Sequence, residues 1–354
     1  MDLLEKLTQV PGVSGREHRV RTLIEREIEG LFDDVRTDAM GSLVCIRHAR
    51  TPAKRAAAPL RIMVAAHMDQ IGFLVKHVDD KGFLRVRAVG GFDMRNLFSR
   101  LCTICPDVED PSKDLVGVMN PEGRPIHLAT EEEKKKVPEM GEFYIDLCRP
   151  ADQVKRHVKI GDMVVLQSPF VKTAKAVIAQ AFDNRVACWV AIRAVQKLAA
   201  RDVKHACEIA VVFTVQEEVG LRGAQTSAFG VRPDIGIGVD CGLAVDTPGV
   251  PEDQRVMVQG GGVTLDVMDG DMIADVDLVE TFEAIAKKQR IKHQRCVAPR
   301  GGTDGAAIQR SRCGTRSMTL ICPARYIHTV AETVLLSDLH ATRDLLAAYL
   351  AEAK

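Results

Sequence analysis

Apolar residues near the start of the chain recur at helical spacing, over residues 3–10 and again over 16–31, where Val20, Leu23, Ile24, Ile28 and Leu31 share one face. The PGVSG between them reads as a break. Residues 42–46 and 62–66 read as strands, and RTPAKRAAAP at 50–59 as an exposed loop between them. The texture then changes up to about residue 167. Short alternating runs, FLVKHV, FLRVRAV, LCTIC, LVGVM, FYIDL and DMVVL, are separated by Gly, Asp, Pro and charged turns. This spacing predicts a small all-β module with no long helix. EEEKKK at 131–136 reads as a solvated turn or loop within it.

Beyond residue 180 the elements lengthen and alternate. Residues 184–200 have helical spacing, with Val186, Trp189, Val190, Ile192, Val195 and Leu198 apolar. Near-continuous apolar strands follow at 207–215, 235–239 and 316–321, with helices at 276–290 and 332–353. Strand and helix in turn, with buried strands, predict an α/β fold whose mixed or largely parallel central sheet is flanked by helices on both faces. The domains expected are an α/β domain made of residues 1–67 and 168–354, and an inserted β-rich domain at 68–167, of ordinary size.

Composition narrows the partners. A chain of 354 residues can bury a large core without staples. Its 48 Lys+Arg balance 48 Asp+Glu, so the basic excess that a nucleic-acid partner normally requires is missing. Only 11 Phe, 3 Tyr and 1 Trp are available to stack on bases or sugars. The opening MDLLEKLTQV has no basic stretch ahead of an apolar one, and the apolar runs are too short to cross a bilayer, so a soluble cytoplasmic protein with no membrane partner is expected. In a reducing compartment the 10 scattered cysteines read mostly as small buried side chains, Cys102 and Cys105 included.

In open α/β sheets, ligands gather beyond the carboxyl ends of the strands. Those positions hold His67 and Asp69 after RIMVAA, Glu217 and Glu218 after CEIAVVFTVQ, Asp240 after DIGIGV, and His328 after SMTLICPARYI. Asp183 stands at the entrance to the helix at 184–200. A pair of divalent ions needs imidazole and carboxylate ligands from several elements, one of them able to bridge, and these residues supply them. In an extended chain His67 and Asp69 point to the same side, which lets Asp69 fix the tautomer of His67. One of the adjacent glutamates can ligate while the other takes a proton from water. Taken singly, each has a plainer reading: an Asp after a strand caps a helix, and paired glutamates are surface charge. Their convergence favours a metal site. The other histidines lie mostly in polar surroundings and have no assigned role.

AHMDQIGF at 66–73, AFDNRVAC at 181–188, VQEEVGLRGA at 215–224, GVDCGLAVDTPG around Asp240, GGTDGAA at 301–307 and ARYIHTVAE at 324–332 together resemble the motif series of the M42 metallo-aminopeptidases. That family includes tetrahedral, glutamyl and deblocking aminopeptidases, and some members labelled endoglucanase or cellulase. The resemblance spans essentially the whole chain. It implies a zinc-exopeptidase-like sheet with an inserted small PDZ-like barrel that serves oligomerisation and access. It also implies two divalent ions per subunit, Zn²⁺ or Co²⁺, bridged by Asp183. One ion is completed by His67 and Asp240, the other by Glu218 and His328. Glu217 is then the general base toward a metal-activated bridging water, Asp69 orients His67, and the Asp183–Asn184 peptide is cis. The implied reaction removes the N-terminal residue of a peptide, and the implied assembly is a homo-oligomer, as large as a dodecamer. Gln70 departs from the family's usual Glu and is expected to change charge near the substrate pocket. Gly302, Thr303 and Asp304 are candidates to line that pocket, with a glycine turn and helix cap as their plainer reading.

Two rival functions remain at this stage. A glycoside hydrolase would use two carboxylates but needs no histidine cluster, and the supply of aromatic platforms is thin. A non-catalytic metal-binding scaffold would keep the ligands and lose the base. HExxH, GxSxG and P-loop patterns are absent, which removes the common zincin, serine-hydrolase and nucleotide readings.

Overall fold

The computed structural model describes residues 2–51 and 58–353. Most of the loop expected at 50–59 lies outside the described residues. The chain opens with helices α1 (Asp2–Gln9) and α2 (His18–Glu27), then strands β1 (Asp34–Thr37), β2 (Leu43–Arg47) and β3 (Arg61–His67). Next come β4 (Gly72–Val78), β5 (Leu84–Val89), β6 (Arg100–Cys105), β7 (Leu115–Pro121), α3 (Glu131–Lys135), β8 (Phe143–Asp146), α4 (Ala151–His157) and β9 (Met163–Leu166). The six strands β4 to β9 close into an antiparallel barrel in the order β4-β5-β8-β7-β6-β9. Phe73, Val75, Leu84, Ile104, Phe143 and Ile145 fill its core. Arg19 on α2 ties the barrel down, pairing with both oxygens of Asp114 at 2.7 and 2.8 Å.

The returning chain forms β10 (Val171–Lys172), β11 (Ala176–Ala179), α5 (Phe182–Ala200), β12 (Glu208–Thr214), α6 (Arg222–Val231), β13 (Ile235–Leu243), β14 (Val263–Met268), α7 (Val276–Gln289), β15 (His293–Val297), α8 (Asp304–Gln309), β16 (Arg316–Arg325), β17 (Glu332–Leu335) and α9 (Leu336–Glu352). Among the described residues the main sheet has 11 strands, in the order β1-β2-β12-β3-β13-β16-β17-β11-β10, with β14 and β15 branching from β16. Its centre, β12-β3-β13-β16, is parallel, and the flanks are antiparallel. This is the α/β class that the alternation predicts.

Both faces of the sheet are covered. Alternate residues of β12, Ile209, Val211 and Phe213, join the large core under α1, α5, α7 and α9, while Ala210 and Val212 face the smaller core under α6 and α8. A strand buried on both sides has to be apolar throughout, which is how it read in sequence. Each large side chain buried this way contributes roughly 1.5–3 kcal/mol. Where α8 meets β13, a Cβ on Gly238 would stand 2.6 Å from Thr319 Oγ1 and 2.9 Å from the Gly305 nitrogen. Glycine there lets the start of α8 lie against the sheet.

Several expectations change. The helix expected over 332–353 begins at Leu336, because Glu332–Leu335 pairs as a strand with β11 and β16. The strand expected to end at 239 runs on to Leu243, although its pairing with β3 stops at Gly238. EEEKKK is mostly the short helix α3, started by a capping box between Thr130 and Glu133. Helix α6 and strands β14 and β15 were not foreseen; α6 is rich in small residues and β15 in polar ones. Cys102 and Cys105 are buried free thiols, and burial pushes each up to about 12. No helix among the described residues is long and apolar enough to cross a membrane.

Candidate active site

The carboxyl end of the parallel strands gathers His67, Asp183, Glu217, Glu218, Asp240 and His328 around one cavity of about 570 Å³. His67 is the last residue of β3, and Glu217 and Glu218 follow β12. Asp240 lies within β13 but beyond its last pairing with β3, Gly238 with Ala65, so it borders the opening at the end of β3. His67 Nε2 is 3.2 Å from Asp183 Oδ1, 3.7 Å from Glu217 Oε2 and 3.8 Å from Asp240 Oδ1. His328 Nε2 is 3.4 Å from the other oxygen of Asp183 and 3.5 Å from Glu218 Oε2. Asp183 therefore faces one histidine with each oxygen.

Asp69 lies behind this cluster, fully buried. His67 Nδ1 is 3.1 Å from its main-chain carbonyl and 3.4 Å from its carboxylate, so the nearer contact to the ring is the main chain rather than the side chain expected from HxD. The carboxylate accepts the Ser14 hydroxyl at 2.6 Å and the amides of Glu217 and Glu218 at 3.1 and 3.2 Å. One aspartate thus holds three candidate residues in register.

Two buried glutamates with no role in the sequence reading complete the frame. Glu332 accepts the Asp183 amide at 3.1 Å and the His328 amide at 2.8 Å. Glu17 accepts the Gly15 and Gln216 amides at 2.7 and 3.1 Å. His328 and Gln216 have φ of 62° and 55°, a left-handed conformation that costs a non-glycine residue about 1–2 kcal/mol. Each is held there by one of these carboxylates. Glu332 closes the motif ARYIHTVAE, which was its sequence signal, but its assignment to a helix concealed the contact. The Asp183–Asn184 peptide is cis, and Asn184 Nδ2 donates to the Val239 carbonyl at 2.9 Å.

Other expected residues are placed differently. Gly302 and Thr303 line the cavity, whereas Asp304 does not. Asp304 is buried at the start of α8 and accepts the Thr214 hydroxyl. Gln70 is buried and accepts from Arg185 Nη2 at 3.2 Å, so the departure from Glu bears on Arg185 and not on the substrate cavity. Arg185 also donates to the carbonyls of Leu7, Val10 and Gly12.

The electrostatics show what the cluster lacks. Burial pushes Glu217 well up, against His67 and reinforced by Asp240, Asp304 and Glu218. Burial, then Asp183, raises Glu218 to about 8, and burial raises Asp240 to about 7. Burial works against a charged His328, but Asp183 and Glu218 outweigh it and raise the ring to about 9. Asp183 moves down in spite of burial, because His328 and His67 hold it. So many carboxylates in a buried space need positive charge, which the protein alone supplies as protons. Divalent cations would supply it directly. Two groups, His67–Glu217–Asp240 and His67–Asp183–Glu218, each present ligand atoms within 4.8 Å of one another, and Glu218 Oε1 is buried without a partner. Imidazole and carboxylate oxygen suit zinc and similar ions, so the residues fit.

Fold and donor set together fit an α/β protein with a candidate metal centre at the carboxyl end of a mixed sheet. The chain belongs to the M42 aminopeptidase family, since the model of the M42 glutamyl aminopeptidases matches residues 48–345. It is 30% identical over 362 residues to the lysyl aminopeptidase of Pyrococcus furiosus, covering 100% of this chain and 97% of that one. It is also similar to the TET1 peptidase of Pyrococcus horikoshii, described as assembling into a tetrahedron or a large octahedral shell. That structure shares 31% identity and a TM-score of 0.84, covering 99% of this chain and 98% of the other. A Thermotoga maritima structure labelled endoglucanase matches at 27% identity and a TM-score of 0.78, covering 98% and 96%. Family membership makes the protein a metal-dependent aminopeptidase, a hydrolase of peptide bonds.

Proposed function

We propose that the protein removes N-terminal residues from peptides in this cavity. His67, Asp183, Glu218, Asp240 and His328 would hold two divalent ions, Zn²⁺ or Co²⁺, with Asp183 shared between them. The observation that carries this is the position of Asp183, with one oxygen toward His67 and the other toward His328. When bound, the ions supply Lewis-acid polarisation of the scissile carbonyl and lower the pKa of water. Glu217 is the base. Buried beside Asp240, Asp304 and Glu218, its carboxyl has raised proton affinity, which suits it to take a proton from the attacking water and pass it to the leaving amine. Asp69 keeps Glu217 in place through its amide and steadies His67. The acid excess of the centre favours a positively charged peptide N-terminus.

No Phe, Tyr or Trp lines the cavity among the described residues. A glycosidase would lack the ring faces on which sugars stack, and nothing in the site favours the endoglucanase label. The barrel offers a surface for assembly. Leu101, Val116 and Val118 expose an apolar strip on β6 and β7, and we assign it to contacts between copies in a homo-oligomer, up to a dodecamer. The 10 cysteines, free among the described residues, suit a reducing cytoplasm.

The test is a panel of aminoacyl-arylamides with the metal-loaded and chelated protein. EDTA abolishes turnover and Zn²⁺ or Co²⁺ restores it. Glu217→Gln retains its metal and loses roughly 10²–10⁴ in kcat. Activity indifferent to EDTA, or near-normal turnover by Glu217→Gln, overturns the mechanism.

A further inference from the structure

The substrate cavity has a second acidic feature that the reaction does not use. Asp266, on β14, and Asp269, in the turn after it, both line the cavity, and they are 0% and 5% exposed. Each has one oxygen engaged. Asp266 Oδ1 accepts the Cys296 thiol at 3.3 Å, and Asp269 Oδ1 accepts the amides of Asp271 and Met272 at 2.7 and 2.6 Å. The Oδ2 atom of each is buried and receives no hydrogen bond from another residue's donor. Beyond the Oδ1 contacts the two carboxyls bond only each other, and burial, then the charge of Asp269, raises Asp266 to about 6. No basic residue is among the main influences on either carboxyl. A bulge between Asp266 and Met268 sets this end of β14 apart from a regular strand.

Two buried carboxyls that bond each other must share a proton, and a ligand cation that displaces it satisfies both at once. Leu243, Val256, Met257 and Ile321 give the same cavity apolar walls. An aliphatic stem ending in a cation satisfies both walls and acids, and among side chains that describes lysine and arginine. Resting on the aminopeptidase reading of this cavity, we propose that Asp266 and Asp269 form the subsite for the first side chain of the substrate and select peptides that begin with lysine or arginine. Arg300 also lines the cavity, but it is exposed. A glutamyl side chain paired with Arg300 would leave both buried oxygens unmatched.

The test uses the metal-loaded full-length protein and Lys-, Arg-, Leu- and Glu-p-nitroanilides, together with calorimetric binding of free L-lysine and L-leucine, which needs no turnover. The Lys and Arg substrates are expected to lead in kcat/KM, and L-lysine to bind more tightly than L-leucine. Asp269→Asn keeps the oxygen that accepts the Asp271 and Met272 amides, and Asp266→Asn is the second variant should one fold poorly. Each lowers the Lys-to-Leu ratio of kcat/KM roughly ten- to hundredfold, as loss of a charged hydrogen bond does, and removes the preference in binding. If no arylamide is cleaved yet L-lysine still binds preferentially, the peptidase reading falls and the subsite stands. If peptides are cleaved with Leu or Glu preferred, or with a Lys-to-Leu ratio that both variants leave unchanged, the subsite falls and the peptidase reading stands.

Discussion

Replacing Glu332 with glutamine tests how the centre is built. The side chain is 2% exposed, and its two oxygens accept the amides of Asp183 at 3.1 Å and His328 at 2.8 Å. Glutamine keeps the size and one carbonyl oxygen, but its NH₂ group must face one of those amides. One hydrogen bond to a buried acceptor is lost and a donor is set against a donor, which costs about 1–3 kcal/mol. The left-handed backbone of His328 then loses a partner that holds it, and the spacing between His328 and Asp183 relaxes. Outer partners of metal ligands commonly account for ten- to hundredfold in affinity. Glu332→Gln is therefore expected to bind Zn²⁺ roughly ten- to hundredfold more weakly in competition with a chromophoric chelator, with a smaller loss of kcat at saturating metal. Glu332→Ala leaves both amides without an acceptor and costs about 1–3 kcal/mol more in denaturant unfolding. Wild-type zinc affinity and unchanged unfolding in Glu332→Gln would refute the idea that this carboxylate positions the ligands.

Three further outcomes follow from the same structure. Without a cation, His328 is raised to about 9, Glu218 to about 8 and Asp240 to about 7, so at neutral pH protons occupy positions that metal must take. Metal uptake then releases protons, and affinity weakens as pH falls through this range; calorimetry in buffers of different ionisation enthalpy checks this, and identical heats in all of them count against it. Asp69→Asn, which sets an NH₂ group among groups that donate to Asp69, lowers kcat by roughly ten- to hundredfold at saturating metal, and steady-state kinetics that match wild type disprove its positioning role. Leu101→Glu with Val118→Glu places charge on two cross-strand neighbours of the exposed barrel strip; light scattering should show smaller particles with an intact fold, and an unchanged mass moves the interface elsewhere.

Much of this molecule was legible along the chain because the signals are local. Strand periodicity located β3, β12 and the parallel core, and strand ends carry His67, Glu217, Glu218 and Asp240, which the fold gathers at one cavity. Alternating short runs marked the barrel. Residue type at a strand end is a short-range property, and carboxylates and histidines among apolar neighbours stand out without a fold. The contacts that position those groups are long-range, and periodicity carries no record of them. Glu332 meets Asp183 across 149 residues, and Glu17 meets Gln216 across 199. Asp304 had the right neighbours in sequence, yet it turns to Thr214 and away from the cavity. Gln70 sits three residues from His67 but faces Arg185, 115 residues away. Asp266 and Asp269 had no motif at all and reach the cavity because β14 pairs with β16 beside β13. Local pattern names the donors; the packing of distant strands and turns settles which way each one points and what stands behind it.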